Sequence, residues 1–315
     1  MFNIATRLRC LGWVCLVAGC GVTPGRADVV TNLVCVADTG LWEANPNNNL
    51  GGLSPLPVGV TGVAGSAKRG RALFKFPIAG SIPTNALISS AALNLIVTFG
   101  HLPGLDHNLY RVLDDWGEGT GSGGGAGSGG HGAPAQPGEA TWNARFYPAV
   151  LWSAPGAAAG ADYLALPSAT TAMNISGTNT FTSAALTADV QTWVTNPATN
   201  FGWILIQADE TILNSGLRIA TREDPANAPV LTVNFTLAPP PTPPPAIFQV
   251  TLVGNQIRFS FNAESNRTYA VETRASLTAG GWSVVTNIPA LPASATVGVT
   301  NPISFPQGFF RIRTP

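Results

Sequence analysis

Between Glu118 and Glu139 the chain carries almost nothing but Gly, Ser, Ala and Pro, in the stretch EGTGSGGGAGSGGHGAPAQPGE. Glycine-rich sequence of this kind does not propagate a helix or a strand. The tract is a tether between two domains, a phosphate-cradling loop, or slack inside one domain. The phosphate loop fails on two counts: no Gly-Lys-Ser/Thr follows and no helical pattern opens there.

Charged residues make up 10% of the 315, beside 35 Gly and 26 Pro. An ordinary soluble domain is about a quarter charged. Polarity comes instead from Thr, Asn and Ser, which suits the strands and turns of a secreted all-β protein. The overall neutrality is partitioned. Residues 1–27 carry +3, residues 28–238 hold 14 acids against 8 bases, and residues from 246 onward carry 5 Arg against 2 Glu. No long basic tract is present, which argues against nucleic acid as a partner.

The N-terminus reads as an export leader. Arg7 and Arg9 precede the apolar run Cys10–Val22, and Gly25-Arg26-Ala27 offers a cleavage site that leaves Asp28 first. A lipobox-like VAGC at 17–20 is the alternative and would place a lipid anchor on Cys20. Nothing downstream is long and apolar enough to span a membrane. The expected location is extracellular, or lipid-anchored if Cys20 is modified. Of the four cysteines only Cys35 survives cleavage, and NLVCVAD reads as a strand with its thiol buried.

The run APPPTPPPA, residues 238–246, is a semi-rigid spacer. Before it the pattern is β: RALFKFP alternates, and ALISSAALNLIVTF, NLYRVLDDW, DYLAL, NTFTSAAL, FGWILIQA, GLRIATR and APVLTVNFT read as further strands. LTADVQTWVTNP is the exception. Leu186, Val190, Trp193 and Val194 share a helical face, Thr187 offers a cap, and Asn196-Pro197 ends the run. After the spacer, residues 247–315 hold six short strand patterns at sandwich-like intervals. The fold class expected is all-β: a β-sandwich with one short helix, then a small C-terminal sandwich.

RGRALFKFPIAGSIPTNALISSAALNL, LYRVLDDWGEG, ATWN, LTADVQTWVTNPATNFGWILI and SGLRIATREDPANAPVLTVNF follow in that order. Together they resemble the DNRLRE-type domain, the family 96 carbohydrate-binding module, over residues 28–237. The resemblance implies a jelly roll on secreted bacterial proteins, some attached to polysaccharide lyases. In that pattern a Trp-x-Glu and a Thr-Trp are near neighbours, matched by Trp116-Gly-Glu118 and Thr141-Trp142. It therefore implies that residues 119–138 are an enlarged loop within one domain. The C-terminal module is similar to β-rich terminal modules of other exported bacterial proteins, which implies no activity.

The basic residues carry the functional expectation. Period two places Arg69, Arg71 and Lys75 on one face of a strand, while Arg111 and Arg218 sit mid-strand among apolar neighbours. If those strands adjoin, the bases form a ladder suited to the carboxylates of a polyuronate such as alginate. Internal pairing with the module's acids is the competing reading. Trp42 and Trp152 lie in loops and offer indole faces to a sugar ring. Trp116, Trp142, Trp193 and Trp203 are expected to pack. No motif demands a cofactor. ADTGLWEANPNNNLGG offers Asp38, Glu43, Asn45 and Asn47 as hard oxygen ligands for a structural Ca²⁺, although turn chemistry explains the Asn run equally well. Glu118 is expected to fix a loop, and His101, Asp106 and His107 to be exposed at a turn. No catalytic set is legible. The expected function is non-catalytic binding of an extracellular polysaccharide by a monomer. The alternatives are a structural or adhesive surface protein, or a lyase or hydrolase using Tyr110 or Tyr163 with a nearby Arg.

Overall fold

A computed structural model of the chain describes residues 28–123, 131–238, 244–303 and 308–314. The expected leader with Cys20, residues 124–130 of the glycine tract and residues 239–243 of the proline spacer lie outside the described residues. The chain divides into two units between residues 238 and 239.

The first unit begins with β1 (Val29–Val34), β2 (Ala37–Trp42), the short β3 (Asn48–Asn49), β4 (Leu56–Thr61), β5 (Lys68–Lys75), the long β6 (Ala86–Gly100) and β7 (Leu105–Arg111). After the glycine tract come β8 (Ala133–Pro134), β9 (Ala144–Phe146), β10 (Val150–Leu151), β11 (Ala169–Met173) and β12 (Gly177–Thr182). Helix α1 (Ala184–Thr195) follows, then β13 (Trp203–Gln207), β14 (Leu217–Ile219) and β15 (Val230–Leu237).

One layer runs β1-β15-β6-β12 and the other β5-β13-β7-β11, the interleaved strand order of a jelly roll. Val97 pairs with Gly177 and also with Ile219, so β14 lies on the β15 side of β6. Strand β4 joins the layers, its first half pairing with β14 and its second with β5. Between the layers Phe74, Leu93, Phe181, Trp203, Leu231 and Val233 form a closed core. Each such side chain contributes about 1.5–3 kcal/mol on full burial.

Helix α1 presents Leu186, Val190, Trp193 and Val194 to that core, as their spacing predicts. Its start differs from the expectation. Ser183, not Thr187, is the cap and accepts from the Leu186 amide at 2.9 Å, while the Thr187 hydroxyl donates back to the Ser183 carbonyl. NTFTSAAL is accordingly split between β12 and the helix. DYLAL forms no strand, because the Asp162 carboxylate gathers the Ser153 and Ala158 amides and bends the chain.

Strands on both sides of the glycine tract hydrogen-bond to one another, β13 with β5 and with β7. The tract is thus an excursion from one pair of sheets. Asn49 ties it down: its Nδ2 donates to the Glu118 and Ala140 carbonyls, and its Oδ1 accepts from the Gly51 and Gly121 amides. Glycine is required where backbones touch. A Cβ on Gly51 would fall on the Glu118 carbonyl, and one on Gly117 on that of Gly138.

The second unit contains β16 (Ile247–Val253), β17 (Gln256–Ala263), β18 (Tyr269–Arg274), β19 (Ser283–Ile288), β20 (Ala295–Pro302) and β21 (Phe309–Arg313), matching the six patterns read from sequence. Its sheets, β16-β17-β20 and β19-β18-β21, enclose Phe259, Phe261, Tyr269, Val271 and Val299. Among the described residues no helix is long and apolar enough to cross a membrane.

Candidate functional site

Period two on β5 does aim Arg69, Arg71, Leu73 and Lys75 to one face, but that face is covered. Leu73 packs with Trp116, Trp142, Trp152 and Tyr163, which the excursion after β7 folds across the sheet. Arg71 is 8% exposed. Its Nε and Nη2 donate to Glu210 at 2.9 and 2.7 Å, and its Nη1 donates to the Gly156 and Ala157 carbonyls. Arg69 holds Glu43 through paired hydrogen bonds of 3.0 and 2.7 Å. Lys75 pairs with Asp115 at 3.2 Å.

The remaining two bases lie elsewhere. Arg111 shares the inward face of β7 with Leu109 and reaches Asp189 of α1 at 3.3 Å. Arg218 points away from the core, since its neighbours Leu217 and Ile219 point into it. The five bases therefore occupy three faces and make no ladder. Trp42 and Trp152 are corrected likewise: they are 5% and 4% exposed, and the Trp152 indole donates to the Thr141 carbonyl. Trp116, Trp142, Trp193 and Trp203 are buried as expected.

What the outer face of the β6–β14–β4 sheet does offer is a pocket of about 260 Å³, lined by Thr61, Phe99, His101, His131, Arg218 and the edge of Trp42. Phe99 is 47% exposed. The Arg218 guanidinium lies 5.5 Å from its ring centre, and His101 meets the ring edge-on at 5.0 Å. Among the described residues Arg218 has no carboxylate partner. A half-exposed aromatic ring, with a guanidinium over it that no carboxylate among the described residues claims, can pack on a sugar ring and bond a carboxylate. His101 was singled out in the sequence only as a turn residue. Phe99 was missed, because it ends a long apolar strand and carries no signal that its ring faces outward.

The side chains of the expected calcium set are engaged with separate partners. Glu43 is held by Arg69, Asn45 Oδ1 faces His131 Nδ1 at 3.1 Å, and Asn47 accepts from Asn143. Asp38 alone is buried, in β2, with Glu118 and Glu223 as neighbours. Burial pushes its carboxyl up to about 7; the Arg222 amide opposes this, and the Glu223 and Glu118 charges add to it. Glu118 fixes the root of the glycine tract, accepting from the Asp38 amide at 2.8 Å and from Arg222 at 2.5 Å. His107, expected to be exposed, is 1% exposed. Tyr110 and Tyr163 meet at a 48° tilt with ring centres 5.0 Å apart, and burial raises the Tyr163 phenol above its ordinary value, away from a phenolate base.

No protein-family model matches the chain, and no curated protein does. Among solved structures it aligns with the glycoside hydrolase domain of Endo-D from Streptococcus pneumoniae R6, at 10% identity and a TM-score of 0.13. The alignment covers 86% of this chain and 31% of that one, so the chain spans less than a third of its length. A likeness this slight bears on neither fold nor function.

Proposed function

We propose that the unit before the proline spacer is a non-catalytic module that binds an extracellular polysaccharide. Its contact with the glycan is the Phe99–Arg218 pocket: the ring stacks on one sugar and the guanidinium takes a uronate carboxylate. The observation that supports this most is Arg218, the only one of the five candidate bases without an acid partner among the described residues, standing over an exposed aromatic ring. The ordered motifs that resemble the DNRLRE-type domain point the same way. The leader read in residues 1–27 would deliver the module outside the cell, with lipid on Cys20 as the variant that keeps it at a membrane.

A second reading, a structural or adhesive spacer, is favoured by the other four bases, each committed to an internal carboxylate. Retention on an alginate gel separates the two. Phe99→Ala and Arg218→Ala should each weaken retention about tenfold, as loss of a central aromatic or arginine contact does. Arg69→Ala should leave it unchanged. Retention only on neutral glycans would remove the polyuronate, and no retention on any glycan would leave the spacer.

A further inference from the structure

Asp38 is the second residue of β2, with 0% of its surface exposed. Its Oδ2 accepts the Arg222 amide at 2.9 Å, whereas Oδ1 is sealed from solvent with no hydrogen-bond partner among the described residues; the Cys35 thiol beside the carboxyl donates instead to the Ala37 and Lys75 carbonyls at 3.1 and 3.4 Å. A buried carboxylate oxygen without a donor is expensive unless a positive charge meets it. Glu118 and Glu223 arrive at the same point from the root of the glycine tract and from the β14–β15 link. One carboxylate oxygen of each of the three residues lies within 4.8 Å of the others.

The charge does not balance within the protein. Arg222 bonds Glu118 at 2.5 and 3.1 Å and reaches Glu223 at 3.2 Å. Once Asp38 is ionised, one guanidinium against three carboxylates leaves two negative charges, the complement of one divalent cation. The spacing agrees. Two oxygens bound at about 2.4 Å to one ion are separated by at most about 4.8 Å. The nearest sulfur, Cys35, is held as a neutral thiol by burial, with the charge of Asp38 adding to the effect. The donor set is therefore hard oxygen, which suits calcium rather than zinc.

We propose that Asp38, Glu118 and Glu223 form a calcium site that fastens the base of the glycine tract to the sandwich. Asp38 belongs to the set expected from sequence, while Glu43, Asn45 and Asn47 are replaced by two acids far away in the chain. The site stands apart from the glycan pocket and does not depend on it.

The test is calorimetric titration of the chelator-treated full chain with CaCl₂, alongside thermal melting with and without calcium. One calcium should bind per chain and raise the melting temperature by about 5 °C or more at about a hundredfold excess over Kd. Glu223→Gln, at the more exposed ligand, should fold and bind calcium about tenfold more weakly. Asp38→Asn should lose the calcium-dependent shift, yet melt no lower than the wild type in chelator, because it removes the buried charge. Glu43→Gln should retain the full shift. Absence of binding, or an undiminished shift in Asp38→Asn, would overturn the site. A wild type whose stability follows pH alone would show that a proton, not a metal ion, satisfies Asp38.

Discussion

Arg71 and Glu210 face each other through two parallel hydrogen bonds beneath the indole of Trp142, whose ring centre lies 5.4 Å from the guanidinium carbon. Their side chains are 9% and 17% exposed. Removing one partner of a pair this enclosed leaves the other charge buried, at a cost of about 3–5 kcal/mol. Glu210→Ala should therefore lower stability by about 3 kcal/mol, read from urea unfolding. Arg71→Ala, which the sequence alone would have treated as a binding mutant, should cost as much. The double variant Arg71→Ala with Glu210→Ala should cost clearly less than the sum of the single changes. Additive losses would mean that the pair is not coupled.

Asn49 offers a second test, of how the glycine tract is held. The side chain is 0% exposed, and its amide satisfies two carbonyls and one amide from the two ends of the excursion, together with the neighbouring Gly51 amide. An unsatisfied buried backbone group costs about 1–3 kcal/mol. Asn49→Ala should lower the unfolding free energy by about 3 kcal/mol. Asn49→Asp, of the same shape, keeps the acceptor but loses both Nδ2–H donors and should be destabilised nearly as much. An Asp variant as stable as the wild type would show that shape alone matters there.

These two residues also mark what could be read from sequence. The alternation of β5 and β6, the spacing and proline stop of α1, and all six C-terminal strands are written in local periodicity. Local patterns carry no information about what later covers a face. Arg71 sits on the outward side of β5 as expected, but the segment returning after β7 makes that side an interior. Strand β2 was missed because it is buried on both faces and so shows no alternation. The acids that meet Asp38 are equally silent, since Glu118 and Glu223 lie on unrelated segments and converge only through the sheet order. Only the role of Glu118 as a loop acceptor could be seen beforehand, and that came through the Trp116-Gly-Glu118 motif.

His107 gives the fold a predictable acid limit. Burial lowers its pKa, against the opposing pull of its hydrogen bond to the Leu105 carbonyl and of the Asp106 charge. Its Nε2 is enclosed without a partner among the described residues. The folded chain thus holds the ring neutral, while the unfolded chain protonates it near pH 6.5. Unfolding takes up a proton below that pH, so this contribution to stability is present above about pH 6.5 and is lost as pH falls towards the depressed folded value. Its limiting slope is about 1.4 kcal/mol per pH unit. Asp38 pulls the other way, since a carboxyl raised to about 7 contributes stability at low pH that is lost as pH rises through that value. The wild-type profile sums both, so the informative quantity is a difference. Urea midpoints of wild type and His107→Leu, compared from pH 7.5 to pH 5, should diverge: the wild type should lose stability relative to the variant as the medium is acidified. Parallel profiles would mean that His107 takes up no proton on unfolding, and that its enclosed nitrogen is already satisfied in the folded chain.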